Sequence, residues 1–564
     1  MHDVDGGLKP VPKLKIDITL VLITGVLAGC GLIYEYLLSH YAARVLGAVE
    51  TVIFAIISLM IVSMGIGSFL SAKVKDPFSG FVILELLMAL GGSGAVLFCS
   101  GVMAGTFVLP QVLSETLNLP GGLPIQGGVF QTLDTLAGFT PYVMACILGV
   151  LIGMEIPLIA RIREILHSRH IKNNIGTIYG ADYIGAGVGA VIWVGWMLSI
   201  DPTLAGAITA MANLFIGFAF ICFYYSQIKY REFLLAAHGV LFALAFIVAY
   251  QGASWQAITE SVMYEDRVVY QYNTRFQRLV VTQRANGPGG KPLYTFHING
   301  RVQFSSHDEE IYHSMLVFPA MMAVQKRENI LIIGGGDGLA LRDALRWDPQ
   351  KVYVLDLDEE LVRFFKEPMP DGQNAPFLKM NEGAFSDHRV KTVFGDAWLS
   401  TEMLVEQGER FDVIIVDLPD PSHPDLNKLY STGFYTKLRT LLAGDGVMAV
   451  QSTSPYHAKR TFLSIGKTIA AAGFGSVEQY HTNVPSFGEW GWSLATAQGK
   501  PARARIADYG DRDLPEAWAT KEVIEASFIF GRDYFAERDS VKINLPRSGV
   551  VYQYHQQDWG EVGN

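Results

Sequence analysis

Five aspartates fall where a wound α/β sheet binds its ligands. The apolar run Ile330–Ile333 leads into Gly334-Gly335-Gly336-Asp337-Gly338, and Val352–Leu355 ends in Asp356. Val390–Phe394 is followed by Gly395-Asp396, and Val413–Val416 by Asp417-Leu418-Pro419-Asp420-Pro421. Runs this short and this apolar suit strands buried on both faces, and such sheets hold ligands beyond the carboxyl ends of their strands. The glycines, Gly334 and Gly336 among them, let backbone approach a ligand closely at a helix N-terminus. Asp356 follows Asp337 by 19 positions, near the ~20-residue offset at which an acid takes ribose hydroxyls. Any one of these aspartates reads alone as a helix N-cap; acids on four successive strand ends do not. An acid inside the glycine loop repels a pyrophosphate, so a dinucleotide fits less well than a cationic nucleoside such as a sulfonium compound.

The elements that must position these acids follow from periodicity. Strands and helices alternate from Ile330 onward, with a further strand at Val447–Val450, which predicts a Rossmann-like, doubly wound α/β domain with a parallel sheet. Before it, Val268–Tyr272, Leu279–Thr282, Leu293–Ile298 and Val302–Phe304 are short alternating runs. They are broken by Asn286–Gly290 and Asn299-Gly300, which is hairpin chemistry and predicts a small antiparallel sheet.

Composition separates a second region. Only 17% of the 564 residues are charged and half are hydrophobic, with a mean hydropathy of +0.26. The deficit of charge is local to the N-terminal half. Seven apolar runs approach the ~20 residues a bilayer crossing needs: Ile18 to about Tyr41, Thr51–Ala72, Leu86–Gly105, Pro141–Ala160, Tyr183–Ile200, Thr203–Tyr225 and Phe233–Tyr250. A multi-domain chain follows. It has a helical transmembrane bundle at 1–255, a β-hairpin domain at 256–320 and the α/β domain with a C-terminal extension at 321–564. The first run lacks a cleavage pattern and reads as an anchor. Cys30, Cys99, Cys146 and Cys222 all lie in the apolar half, as small core residues with no metal-type spacing, and no metal site is expected. A net charge of −10 argues against nucleic acid as a partner.

The membrane half carries Glu35, Glu85, Glu155 and Asp182. Intramembrane carboxylates default to a functional reading, here a cation path. The alternative is that they lie near span ends and hydrogen-bond to neighbours such as Tyr34, Tyr36 and Tyr179. Basic residues cluster on one set of loops (Lys73, Lys75, Arg161, Arg163, Lys229, Arg231), which puts the N-terminus in the cytoplasm. Seven crossings would then export the α/β domain. Either the domain faces outward or one apparent span does not cross, with Thr106–Phe139 the suspect.

Further motifs resemble a known family. Tyr272–Gln277, Asn299–Ser306 and Asp308–His313 are similar to the entrance motifs of spermidine synthases. Gly334–Gly338, Asp417–Pro421 with Lys428–Tyr430, Gln451–Pro455 and Val484–Gly491 continue the match in order. The helical half resembles the seven-span domain of bacterial membrane-bound aminopropyltransferases. The resemblance implies that decarboxylated S-adenosylmethionine is a co-substrate, with no tightly bound cofactor. It implies a putrescine-like acceptor, a homodimer or tetramer, and a multi-pass protein of the inner membrane. Because that donor is an intracellular metabolite, the catalytic domain is placed facing the cytoplasm. Asp417 would be the catalytic base. Gly334, Gly336, Asp337, Asp356, Asp396, Ala397 and Gln303 would bind the donor. Gln277, Tyr312, His313, Asp337, Asp420 and Phe487 would bind the acceptor. Four positions depart from the soluble enzymes: Phe276 and Phe487 where tyrosines are usual, and Asp356 and Ser314 where glutamates are. They put the acceptor's identity in doubt. Two other classes compete: an S-adenosylmethionine-dependent amine methyltransferase, which shares the sheet and glycine loop, and a polyamine transporter or sensor with a synthase-like domain.

Overall fold

The computed structural model describes residues 13–46, 49–116, 129–167, 174–264, 266–287, 290–510 and 514–562. They divide into two compact units, Met1–Glu265 and Asp266–Asn564.

The first unit is all helix: α1 Lys13–Leu46, α2 Val49–Leu70, α3 Pro77–Thr116, α4 Val129–Gly138, α5 Thr140–His167, α6 Asn174–Gly195, α7 Pro202–Phe223 and α8 Arg231–Ser261. Seven of these helices are long and apolar enough to cross a membrane; α4, at 10 residues, is not among them. Several exceed the apolar runs that announced them. α3 begins at Pro77 and continues without a break past Pro110 to Thr116, so the first part of the suspect stretch Thr106–Phe139 prolongs a helix. Residues 117–128 lie outside the described residues.

Small residues let these helices approach. A Cβ on Gly185 of α6 would fall 1.9 Å from the carbonyl oxygen of Gly25 on α1, and one on Gly189 2.5 Å from that of Gly29. Small residues along such a seam let two helix backbones pack in close contact. The opposite faces carry Ile184, Val191 and Phe233, each more than 70% exposed. Cys30 and Cys99 are buried as expected, but Cys222 is exposed. It lies on the outward side of α7, so it is not a core residue.

The second unit begins with a four-stranded antiparallel meander: β1 Arg267–Asn273, β2 Arg278–Arg284, β3 Leu293–Ile298 and β4 Arg301–Ser305. Asn299 and Gly300 join β3 to β4 with φ of 51° and 78°, the pair of positive values a tight hairpin turn demands. The main sheet has seven strands: β5 Asn329–Gly334, β6 Lys351–Asp356, β7 Val390–Phe394, β8 Phe411–Asp417, β9 Leu442–Gln451, β10 Ser476–Val484 and β11 Gly488–Thr496. Their order is β10-β11-β9-β8-β5-β6-β7. Ile330–Ile333 are completely buried, as a central strand covered on both faces must be.

β5 to β9 are parallel, as predicted. The sheet as a whole is mixed, because β11 runs antiparallel between β9 and β10. The return from β10 is a turn containing Pro485, too short for the crossover a parallel neighbour requires. Three short helices frame the strand ends: α9 Glu309–Met322, α10 Leu339–Leu345 and α11 Glu359–Lys366.

Candidate active site

The predicted strand-end acids converge, and the folding reason is local. β5 and β8 are adjacent and in register, with Gly334 opposite Asp417. A Cβ at Gly334 would sit 2.0 Å from the Asp417 carbonyl oxygen, and the residue has φ of +81°. Only glycine allows both the turn and the approach. Gly336 is similarly hemmed in, since a Cβ there would lie 2.7 Å from Oδ2 of Asp356. Asp337 folds back so that its Oδ1 accepts the Leu339 amide at 2.8 Å, at the start of α10. Asp356 accepts the Asp358 amide at 2.8 Å.

Asp417 is the centre of the group. Tyr312 on α9 donates its hydroxyl hydrogen to Asp417 Oδ1 at 2.7 Å. The Tyr312 ring is held edge-on against Phe487 (5.8 Å between centroids) and rests on Trp492 (5.7 Å). Burial pushes the Asp417 carboxyl up to about 6; His313 opposes that rise and Asp337 adds to it. Burial also lifts Asp356 to about 7 against its own amide bond, with the charges of Asp358, Asp337 and Asp417 adding to the rise. Asp337 is raised by burial although His313 pulls it down.

His313 is the nearest counter-charge. Its Nδ1 lies 2.7 Å from the Glu309 carbonyl oxygen and 3.2 Å from Glu309 Oε2, so that nitrogen carries a hydrogen. Its Nε2 lies 4.0 Å from Asp337 Oδ1. Burial alone would lower this histidine; the bond from Glu309 and the charges of Asp337, Glu309 and Asp417 raise it to about 9. One imidazolium therefore faces three carboxylates.

Behind it Glu309 takes Arg342 at 2.7 and 3.1 Å, and Arg342 reaches Asp343 at 2.9 Å. The fork-to-carboxylate geometry fixes α9 against α10. Sequence reasoning passed over Glu309 and Arg342. The only available signal was that Glu309 stands within the Asp308–His313 motif.

The other predicted acids are engaged differently. Asp396 caps the helix Ala397–Glu406 by accepting the Trp398 amide at 2.8 Å, and it pairs with Lys428 Nζ at 2.7 Å. Burial raises its carboxyl, but Lys428 and the helix amides outweigh that and hold it below its usual value. Ala397 is the first residue of that helix. Asp420 accepts from Gln451 Nε2 at 3.2 Å and Thr453 Oγ1 at 3.0 Å, and its Oδ2 lies 3.2 Å from His555 Nε2. His555 belongs to the C-terminal helix and was not foreseen. Thr453 has φ of 61°, a real outlier for a β-branched residue, and its hydroxyl is aimed at Asp420 by that conformation.

Two predicted residues stand apart from this cluster. Gln303 is half-buried on β4, and its amide nitrogen donates to the Arg301 and Val302 carbonyls at 3.3 and 3.4 Å. Gln277 closes the β1–β2 turn through its main chain, where the Gln277 amide donates to Thr274 Oγ1 at 3.0 Å. That turn is tied to the sheet edge because Thr274 Oγ1 donates to Asp358 at 2.6 Å. Asp308 is a link of the same kind: it accepts from the Ser486 amide and from Ser486 Oγ (3.0 Å), pinning the turn that carries Phe487 to the start of α9. Of the departures, Phe276 is exposed, and Ser314 is buried and spends its hydroxyl on the Glu310 carbonyl.

The chain is similar to known proteins. Residues 309–506 match the family model of the spermine/spermidine synthase domain. A polyamine aminopropyltransferase of Shewanella oneidensis is 50% identical over 97% of this chain and 96% of its own length. Polyamine aminopropyltransferase 1 of Streptomyces coelicolor is 31% identical over 96% of this chain and 94% of its own. The spermidine synthase of Thermotoga maritima, a solved structure, is 23% identical with a TM-score of 0.41, covering 49% of this chain and 88% of that one. The likeness to the first two runs through both units, so the chain belongs to the polyamine aminopropyltransferase family of transferases.

Proposed function

We propose that the chain transfers the aminopropyl group of decarboxylated S-adenosylmethionine to a diamine, putrescine in the first instance, and releases methylthioadenosine. The observation that carries this reading is the unequal charge of the site: Asp337 and Asp417 share the His313 imidazolium, Asp356 beside them has no cation of its own among the described residues, and a cationic donor and a cationic acceptor would fill the deficit.

The acceptor nitrogen attacks the aminopropyl carbon bonded to sulfur. The new N–C bond forms as the C–S bond breaks, and the electron pair stays on sulfur, which leaves as a neutral thioether. Before attack the acceptor ammonium gives a proton to Asp417. For an ordinary aspartate and alkylammonium that transfer is uphill by roughly 8 kcal/mol; raising Asp417 to about 6 removes roughly 3 kcal/mol of it. Alignment of the two bound reactants must supply much of the remainder.

Tyr312 holds Asp417 in place by donating to the oxygen that does not take the proton. Asp337 receives the donor's primary ammonium and Asp356 its ribose. Asp396 and Ala397 address the adenine edge, Asp396 with the acceptor capacity left after its cap and Lys428. Asp420, Gln277, Phe487 and His313 border the acceptor, and Gln303 closes the donor side from β4.

We place the helical unit in the inner membrane. Its support is the seven long apolar helices together with exposed Ile184, Val191 and Phe233, an outer surface too apolar for water. We place the catalytic unit on the cytoplasmic side, where its donor is made; a fluorescent reporter after Asn564 should light up in intact cells, and a dark fusion at normal expression would reverse the assignment.

The reaction is tested on the purified chain with putrescine and either donor. Aminopropylated diamine plus methylthioadenosine, formed from the decarboxylated donor alone, is the expected result. Methylated amine from S-adenosylmethionine would make the chain a methyltransferase, and amine binding without product would make it a transporter or sensor.

A further inference from the structure

The helical unit holds a polar group of its own. Glu85 on α3, Asn213 on α7 and His238 on α8 are 0, 0 and 2% exposed. Asn213 Nδ2 donates to Glu85 Oε2 at 3.2 Å. A Cβ at Gly217, one turn beyond Asn213 on α7, would fall 2.4 Å from His238 Nε2 and 3.4 Å from Glu85 Cβ. The glycine makes room for the imidazole and for the stem of Glu85.

Each of the three keeps a buried atom with no hydrogen-bond partner: Glu85 Oε1, Asn213 Oδ1 and His238 Nε2. Asn213 Oδ1 and His238 Nε2 are acceptors, and Glu85 Oε1 is one when its carboxyl is ionised. The Asn213 oxygen is one because its nitrogen is spent on Glu85. His238 Nδ1 lies 2.8 Å from the Leu234 carbonyl oxygen, so it carries the hydrogen and leaves a lone pair on Nε2. Among the described residues no lysine or arginine forms an ion pair with Glu85. The tyrosine bond expected for these acids is also missing, since the hydroxyl of Tyr34 is buried and unpartnered. An unmet buried acceptor costs about 1–3 kcal/mol, and three together at a buried carboxylate specify what should lie between them.

Depth agrees. Glu85 is 8 residues inside the start of α3 and His238 is 7 inside the start of α8, both ~10–12 Å along their axes at 1.5 Å per residue. Asn213 is 10 residues before the end of α7, ~15 Å from the same end of the bundle.

We propose that Glu85, Asn213 and His238 form a binding site for a primary alkylammonium group. Such a group carries one positive charge and three N–H donors, which suits three unmet acceptors of which one is the Glu85 carboxylate itself. Glu155 on α5, near enough to act on Glu85 and with a buried, unpartnered Oε1 of its own, adds a second acid to the surroundings. A hard metal cation is a poorer match, because it seeks six or more oxygen ligands and the set offers few. The site is separate from the aminopropyl-transfer reading and stands whether or not that reading holds.

The test counts bound amine. Equilibrium dialysis of the detergent-solubilised full chain against radiolabelled 1,4-diaminobutane, without donor, gives moles bound per chain. Glu85→Gln should lower that number by one, whatever the wild-type total, while leaving the catalytic unit's own binding or turnover within about twofold. Gln is neutral and nearly isosteric, so a merely structural, protonated Glu85 would tolerate it with no change in stoichiometry. Unchanged binding in Glu85→Gln overturns the proposal, as would an internal Glu85–His238 ion pair that leaves no amine bound to the wild type. If Glu85→Gln does not fold, Asn213→Leu carries the same readout, with at least a tenfold loss of affinity for that one equivalent expected and an unchanged affinity contradicting the site.

Discussion

The centre and the flanks of one sheet edge treat their aspartates in opposite ways. At the centre, Asp337, Asp356 and Asp417 are buried together with His313 as their near counter-charge, and their carboxyls are pushed up. On the flanks, Asp396 is neutralised by Lys428 and helix amides, and Asp420 is bound by Gln451, Thr453 and His555. In the sequence all five look alike. The difference separates acids whose charge is met by partners within the protein from acids whose charge is largely unmet, and the proposed function assigns the unmet ones to the substrate's charge and to the proton it loses. Burying unpaired carboxylates costs stability, a cost that the proposed function would account for.

The largest expected effect comes from neutralising the centre. Asp417→Asn should reduce turnover by about 10²–10⁴-fold, the usual contribution of a positioned acid–base group, with donor affinity nearly unchanged. Turnover within tenfold of wild type would remove Asp417 as the base. Next is the support behind His313. Glu309→Gln strips Arg342 and His313 of their shared carboxylate, and a broken buried pair costs about 3–5 kcal/mol. A clear fall in apparent Tm checks this, whereas unchanged thermal stability would show that the α9–α10 link is dispensable.

The centre should also reveal itself in pH. With Asp417 titrating near 6, kcat/KM should drop as the pH falls through that value, because the base is then protonated. Stability should move the other way. Asp417 and Asp356 have folded-state values above those of the unfolded chain, so the folded protein takes up protons first as pH falls. The stability this contributes is complete below about 4 and is lost as pH rises through about 6 to 7. Ligand-free Asp417→Asn should therefore be more stable than wild type at pH 8, by up to about 3 kcal/mol, and should lose that advantage at pH 4. The flank gives the smallest effect. Asp396→Asn keeps an N-cap of equal quality and loses only a half-exposed ion pair, worth about 0–1 kcal/mol. Thermal stability should hardly change, and donor affinity should fall by about tenfold or less.

Strand identity was legible because β5, β6 and β8 carry the unbroken apolar runs Ile330–Ile333, Val352–Leu355 and Val413–Val416, and the Asn299-Gly300 turn announced the β3–β4 hairpin. The β10–β11 hairpin was not. Its strands carry Glu478, Gln479, His481, Glu489 and Trp490 among their apolar residues, and that blurs both the alternation and the continuous run by which strands are recognised. The acids were legible as a set because they sit directly after strands. Their division into two kinds was not, since it depends on partners far away in the chain: Lys428 for Asp396, His555 for Asp420, and Arg342 behind Glu309. Long-range pairing leaves no periodic trace. The same is true of Glu85, whose partner Asn213 lies 128 positions on.

Asp337 offers the most direct test, because it is central, largely shielded from water and assigned to a charge rather than to a step of bond making. Binding of decarboxylated S-adenosylmethionine and of methylthioadenosine, which lacks the aminopropyl ammonium, is measured by calorimetry on wild type and Asp337→Asn. If the central acids are left uncompensated for a cation, the substitution weakens the charged donor by about 10–100-fold, the roughly 1.5–3 kcal/mol of a charge-assisted bond, and methylthioadenosine by less than threefold. An equal loss for both ligands would mean that Asp337 only shapes the glycine turn, and the contrast between centre and flank would fail.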